Sequence, residues 1–141
     1  MTNPTLLTAD GTRFVTDRHL ATLSTLARGG GIHTVAVGFT FDGRILRIIT
    51  SGPSQKVLNV RRGGTASVGQ VDGGRWISFS GPTEILEDAA SVADAVERYA
   101  ARYRQPQPNP LRVVIAMTVT TVLGSAGLVE RRVPDGRAGA L

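Results

Sequence analysis

Bulky and small side chains alternate across residues 34–41. Val35, Val37, Phe39 and Phe41 fall on one side, and Thr34, Ala36, Gly38 and Thr40 on the other. That period of two belongs to a β-strand with one large-residue face and one small-residue face. Asp42-Gly43 supplies a tight turn into a second strand over residues 44–50. Farther on, residues 65–71 and 75–80 flank an Asp72-Gly73-Gly74 turn. Residues 112–123, where Val113, Ile115, Met117 and Val119 alternate, read as one long closing strand. Gly29-Gly30-Gly31, Gly52-Pro53, Gly63-Gly64 and Gly81-Pro82 punctuate the runs between these strands. The pattern predicts a mainly β chain with flanking helices, arranged as a small antiparallel barrel.

One helix is clear. Val92, Val96, Tyr99 and Tyr103 recur at helical spacing within residues 88–104, Asp88 is placed to cap the start, and Pro106, Pro108 and Pro110 end it. The two tyrosines read as a packing face. Residues 19–26 fit two periods: Leu20, Leu23 and Leu26 suit a helix, while Thr22, Ser24 and Thr25 favour a strand. The expected organisation is a single domain over residues 1–132 with a mobile tail at 133–141, where Pro134, Gly136 and Gly139 leave little to bury.

Composition removes several functional classes. The 141 residues include no cysteine, which excludes disulfides, thiolate metal sites and cysteine nucleophiles. His19 and His33 are the two histidines, and they do not make a metal-ligand spacing. No Gly-x-Ser-x-Gly elbow, P-loop or Gly-x-Gly-x-x-Gly is present. The formal charge of +5 raises the possibility of a nucleic-acid partner. The arginines are scattered singly or in pairs among carboxylates, however, and aromatic residues are few. A moderate positive field suits a small polyanion equally well. Apolar runs such as 113–117 are too short to span a bilayer, so no membrane partner and a cytoplasmic location are expected.

Lys56 is the one lysine in a chain whose other cations are arginines. It follows a strand and the Ser51-Gly52-Pro53 turn, with Ser54 placed to cap the helix that begins there. A cation in the first turn opposes the helix dipole, so its reason lies outside the helix, and a bound phosphate would supply one. The small face of residues 34–41 leaves room for a flat ring on the backbone. His33 stands at the start of that strand. Trp76 lies on the parity of Ser78 and Ser80, opposite Ile77 and Phe79. Ring on a sheet and phosphate at a helix start describe a flavin-like ligand, which would carry the redox chemistry these side chains lack.

An ordered series of motifs runs through the chain: His19-Leu20-Ala21, Val35-Ala36-Val37-Gly38-Phe39-Thr40-Phe41, Ser54-Gln55-Lys56, Gln70-Val71-Asp72-Gly73, Arg75-Trp76, Arg98-Tyr99-Ala100, Arg102-Tyr103-Arg104, Pro108-Asn109-Pro110 and Val122-Leu123-Gly124-Ser125-Ala126. Over residues 14–130 it resembles the flavin/deazaflavin split β-barrel superfamily of pyridoxamine-phosphate-oxidase-like proteins. Within that superfamily it is most similar to the actinobacterial oxidoreductases that use coenzyme F420, and among these to the biliverdin-reducing ones. The resemblance implies an FMN-binding-type, Greek-key-like split β-barrel in which residues 19–26 form a strand. It also implies a homodimer with each cofactor in a cleft between protomers. His33, Thr34, Val35, Ala36 and Val37 would line the ring, and Ser51, Gly52, Ser54, Gln55 and Lys56 would hold the phosphate and ribityl end. Asn59, Arg61, Gln70 and Trp76 are further carry-overs. The implied activity is hydride transfer from reduced F420 to a conjugated small molecule, biliverdin or a related tetrapyrrole. An FMN-dependent oxidase or reductase and a non-catalytic flavin, deazaflavin or haem carrier are the alternatives. Pro53 departs from the family pattern, where glycine is expected, and removes one N–H from the phosphate loop.

Overall fold

The structure, a computed structural model, describes residues 7–130. The expected tail at 133–141 lies outside the described residues. The chain runs α1 (Ala9–Phe14), β1 (Ala21–Leu26), β2 (Ile32–Val37), β3 (Thr40–Phe41), β4 (Ile45–Ser51), α2 (Gln55–Arg61), β5 (Thr65–Asp72), β6 (Arg75–Leu86), α3 (Ala89–Arg102), β7 (Arg112–Thr118) and β8 (Thr121–Gly124). The strands pair antiparallel in the order β2-β1-β5-β6-β7-β4-β3, with β8 also paired to β6. This is the split β-barrel expected. Of residues 19–26, Ala21–Leu26 form a strand, with Ala21, Leu23 and Thr25 buried on one side, while His19 and Leu20 precede it.

β6 joins the two halves. Its first part pairs with β5 and β8, and its last four residues pair with β7. Between the halves lies an apolar core in which Leu23, Phe39, Leu46, Ile77 and Phe79 are completely buried. The Phe79 ring meets Phe41 at 4.7 Å and Phe39 at 5.8 Å between centroids, within the range where aromatic pairs add to simple burial. Both predicted hairpin turns form. Asp42 Oδ1 accepts from the amides of Arg44 and Ile45 at 2.9 and 2.7 Å, and Gly73 takes the positive φ of 64° that its turn requires. Asp88 caps α3 by accepting from the Ser91 amide at 2.9 Å.

Three strand boundaries differ from the sequence expectation, and in each case the chain changes sheets there. The predicted strand 34–41 breaks at Gly38-Phe39 into β2 and β3, which pair with β1 and β4 respectively. At the break, side chains replace the ladder: the Phe39 amide donates to Tyr103 Oη at 3.2 Å, and its carbonyl accepts from Arg102 Nη1 at 2.6 Å. The predicted strand 112–123 breaks at Val119-Thr120, whose amides donate to the carbonyls of Arg44 and Ser80. Gly81-Pro82 does not end a strand but bends one, since β6 continues to Leu86. The short α1, capped by Thr8, has no strong periodicity and was not anticipated.

Gly81 is required at the bend, because a Cβ there would sit 1.9 Å from the Thr118 carbonyl oxygen. We expect Gly81→Ala to cost about 2–3 kcal/mol by overpacking, and Gly74→Ala, with nothing near its Cβ, to stay within about 0.5 kcal/mol. Urea unfolding of both variants checks this. Arg102→Met, which strands the carbonyls of Phe39 and Asp17 and the amide oxygen of Gln70, should cost about 3 kcal/mol or more in the same assay. A near-neutral result would show that the strand break does not depend on that contact.

Candidate functional site

A cavity of about 360 Å³ opens where the ends of β2, β4 and β7 meet α2 and α3. Ala36, Val37 and Gly38 supply one wall, Thr50, Ser51 and Lys56 another, and Tyr99 of α3 with the 106–112 segment closes the rim. Gly38 is small for a reason: a Cβ would come within 3.0–3.1 Å of the Tyr103 and Tyr99 rings, which stack on each other at 4.8 Å.

Lys56 is half-buried in this wall, and burial of the amine holds its pKa below the ordinary lysine value. Among the described residues it has no carboxylate partner. No aspartate or glutamate lines the cavity, and Arg112 adds a second cation. A desolvated cation without a counterion is a cost that an anionic ligand would relieve. Ser54 sits at the α2 N-cap, but its hydroxyl donates to the Ser51 carbonyl at 2.8 Å and accepts from no helix amide. Ser51 Oγ accepts from Asn109 Nδ2 at 2.7 Å, tying the proline-rich segment to the end of β4. Gly52 approaches the Leu111 carbonyl, to which its amide donates at 2.8 Å.

The remaining residues singled out in the sequence fall elsewhere. Side chains of β2 alternate, so Thr34 and Ala36 face outward while His33 and Val35 turn inward. His33 stands opposite Thr25, and its Nδ1 is buried without a hydrogen-bond partner among the described residues. Asn59 is buried, donating to Thr25 Oγ1 at 3.0 Å and accepting from Gln55 Nε2 and Arg62 Nη2. Arg61 pairs with Glu87 at 2.6 Å. Gln70, also buried, donates to the Phe14 carbonyl and accepts from Arg102. Thus Ala36, Val37, Ser51 and Lys56 line the cavity. Asn59, Arg61 and Gln70 have full partners within the protomer. Tyr99, Asn109 and Arg112 were not anticipated as lining residues: Tyr99 was read as packing, and a single arginine among many carries no sequence signal.

Trp76 belongs to a second feature. Antiparallel register puts Ala36, Thr22, Gly69, Ser78 and Leu123 in one row across the outer face of the sheet. Thr34, Ser24, Ser67, Ser80 and Thr121 form the next row. Leu26 beside Ile32 and Val71 beside Trp76 share that face. None of these residues is charged. Ile32, Val71, Leu26 and Leu123 are 51–67% exposed there, an apolar rim around a smooth field of small side chains.

Comparison with known proteins agrees with this architecture. A profile of the pyridoxamine 5′-phosphate oxidase family matches residues 7–126. An F420H(2)-dependent biliverdin reductase of Mycobacterium tuberculosis (strain CDC 1551 / Oshkosh) is 50% identical over 129 residues, covering 90% of this chain and 94% of that one. Among solved structures, the conserved hypothetical protein Rv2991 of Mycobacterium tuberculosis is similar with a TM-score of 0.72 and 23% identity, over 88% of this chain and 89% of that one. An F420 reductase is similar at 0.65 and 22%, over 82% and 98%. At that identity the two structures share the fold, whereas the family profile and the half-identical relative carry more: the chain belongs to the pyridoxamine 5′-phosphate oxidase family.

Proposed function

We propose that this protein is an F420-dependent reductase that delivers hydride from the reduced deazaflavin to a conjugated small molecule, biliverdin or a related open tetrapyrrole. The observation that carries the reading is the cavity without carboxylates in which half-buried Lys56 has no counterion. The 50% identity to a protein named for that reaction, over nearly the full length of both chains, supports it. When bound, the deazaflavin supplies the hydride. The chain's share is to bind and align. Lys56 and the Ser51 to Ser54 turn hold the phosphate. The backbone at Ala36 to Gly38 gives the ring a flat wall, and Tyr99 limits the cavity opposite. Alignment of two bound rings is worth several kcal/mol, out of roughly 7–11 available from proximity. The cavity wall holds no carboxylate or imidazole, and in this reading the proton that follows the hydride is drawn from solvent.

The reading includes a homodimer formed through the uncharged outer face. An exposed, flat, apolar sheet surface is an association surface, and Ala36 lies both on that face and in the cavity wall. A second copy seated there would wall the cavity and bring its Trp76 face across from it. Ile32→Asp should therefore give a monomer by sedimentation and lose F420 affinity. A monomeric variant that keeps full affinity would contradict the shared cleft.

Lys56→Ala should weaken F420 binding by about 1–3 kcal/mol, as for a charge-assisted contact, with an unchanged melting temperature; unchanged affinity would remove Lys56 from the site. The protonated amine is the binding form and its pKa is lowered, so affinity should fall as pH rises through it. Lys56→Arg should abolish that fall. Parallel titration with F420 and FMN, then addition of biliverdin to the reduced complex, tests the reaction. Reoxidation dependent on bilin is expected. Preference for FMN would favour an oxidase, and binding without turnover a carrier.

A further inference from the structure

We infer that His33 is a positioning residue: by accepting a hydrogen bond from Thr25 at Nδ1, it completes a one-way chain of donors that holds α2, and with it Lys56, against β1. This rests on the deazaflavin reading of the Lys56 site and names a residue outside the cavity on which that site depends.

The chain starts from a group that can only donate. Arg62 Nη2 donates to Asn59 Oδ1 at 2.8 Å and to the Leu26 carbonyl at 2.7 Å. A guanidinium has no acceptor, so the Asn59 amide must present its oxygen to it, and Gln55 Nε2 donates to the same oxygen at 2.9 Å. The Asn59 nitrogen is thereby turned toward Thr25 and donates to Oγ1 at 3.0 Å. Thr25 Oγ1 accepts that bond, which leaves its own hydroxyl hydrogen to donate. Asn59 and Thr25 are only 2% and 4% exposed, so bulk water does not receive it.

Register puts an acceptor opposite. His33 is the antiparallel partner of Thr25 on the inward side of β2, and its Nδ1 is the one buried side-chain polar atom without a partner among the described residues. Directly paired residues have Cβ atoms about 4.5–5.5 Å apart, a gap that a small side-chain rotation or one bridging water closes. An open donor and an open acceptor therefore face each other in a buried pair, and leaving both open is the costlier arrangement. Joining them requires the imidazole tautomer with its hydrogen on Nε2 and Nδ1 bare. Gln55 and Asn59 flank Lys56 on α2, so the chain fixes the turn of helix that carries the amine.

The test combines the tautomer with a double-mutant cycle. Nitrogen-15 spectra of the His33 ring should show hydrogen on Nε2 and a bare Nδ1. F420 dissociation constants, followed by deazaflavin fluorescence, should rise roughly fivefold in His33→Leu, the equivalent of one lost hydrogen bond. His33→Asn, whose Oδ1 can stand where Nδ1 stood, should stay within about twofold of wild type. In a Lys56→Ala background, His33→Leu should add nothing, since its effect passes through the amine. A hydrogen on Nδ1 would overturn the inference, and so would unchanged affinity in His33→Leu or an equal loss with Lys56 already removed. A fall in melting temperature without a change in affinity would make the role merely structural and would also overturn it. Wild type that binds no F420 would remove the deazaflavin reading. The tautomer and the amide exchange of α2, faster in His33→Leu and restored in His33→Asn, would then still decide whether His33 holds the helix.

Discussion

Phe39 is the point at which the chain leaves one half of the barrel for the other, and both of its backbone polar groups are satisfied by side chains from the end of α3. Its amide donates to Tyr103 Oη, which in turn donates to the His19 carbonyl at 2.7 Å, and its carbonyl accepts from Arg102. Arg102 is buried and forms no ion pair among the described residues. Burial lowers its pKa, opposed by Tyr103 and Asp17. The cation is stabilised by two carbonyls, Gln70 Oε1 and the faces of the Phe39 and Tyr103 rings, at 4.6 and 5.0 Å. A buried charge satisfied this way is costly to disturb. It fixes where β2 ends, and so where the cavity wall stands.

The site inherits that precision. Gly38, adjacent to the pinned residue, lies against Tyr99 and Tyr103, and Tyr99 of that stacked pair lines the cavity. Lys56 of α2 and Arg112 of β7, which form no ion pair among the described residues, also line it. The sheet crossing is held by buried polar contacts, and these two cations stand together at the cavity.

Most of the architecture was legible in the chain because it is local. Alternation identified the strands, Asp-Gly and Gly-Gly the hairpins, and Asp88 the start of α3. The sheet crossings were not legible, because their causes are remote: the break at Phe39 depends on Tyr103, 64 residues away, and Gly81 is explained only by the Thr118 carbonyl. An alternating run with a glycine inside it reads as one strand whichever sheet its two ends join. The site divided the same way. Lys56 stood out by being the one lysine, while Arg112 is one of fifteen arginines, and only the folded chain shows that it lines the cavity. Asn59 and Gln70 show the converse: buried polar residues in motif positions that already hold hydrogen-bond partners inside the protomer.

The outer face and the cavity have Ala36 in common, and that has a thermodynamic consequence. If a second copy covers the face, the cofactor meets a wall that exists only in the dimer, and binding and association must then strengthen one another by the same factor. Small side chains suit both needs. In such a dimer Thr22, Ser24, Ser67 and Gly69 would let two sheets approach closely, and Ala36 at the edge of the field would let a flat ring enter where the approach ends. The alternation of large and small side chains along β2 therefore separates two faces: the large one joins the core through Val35 and Val37, and the small one leaves Thr34 and Ala36 exposed.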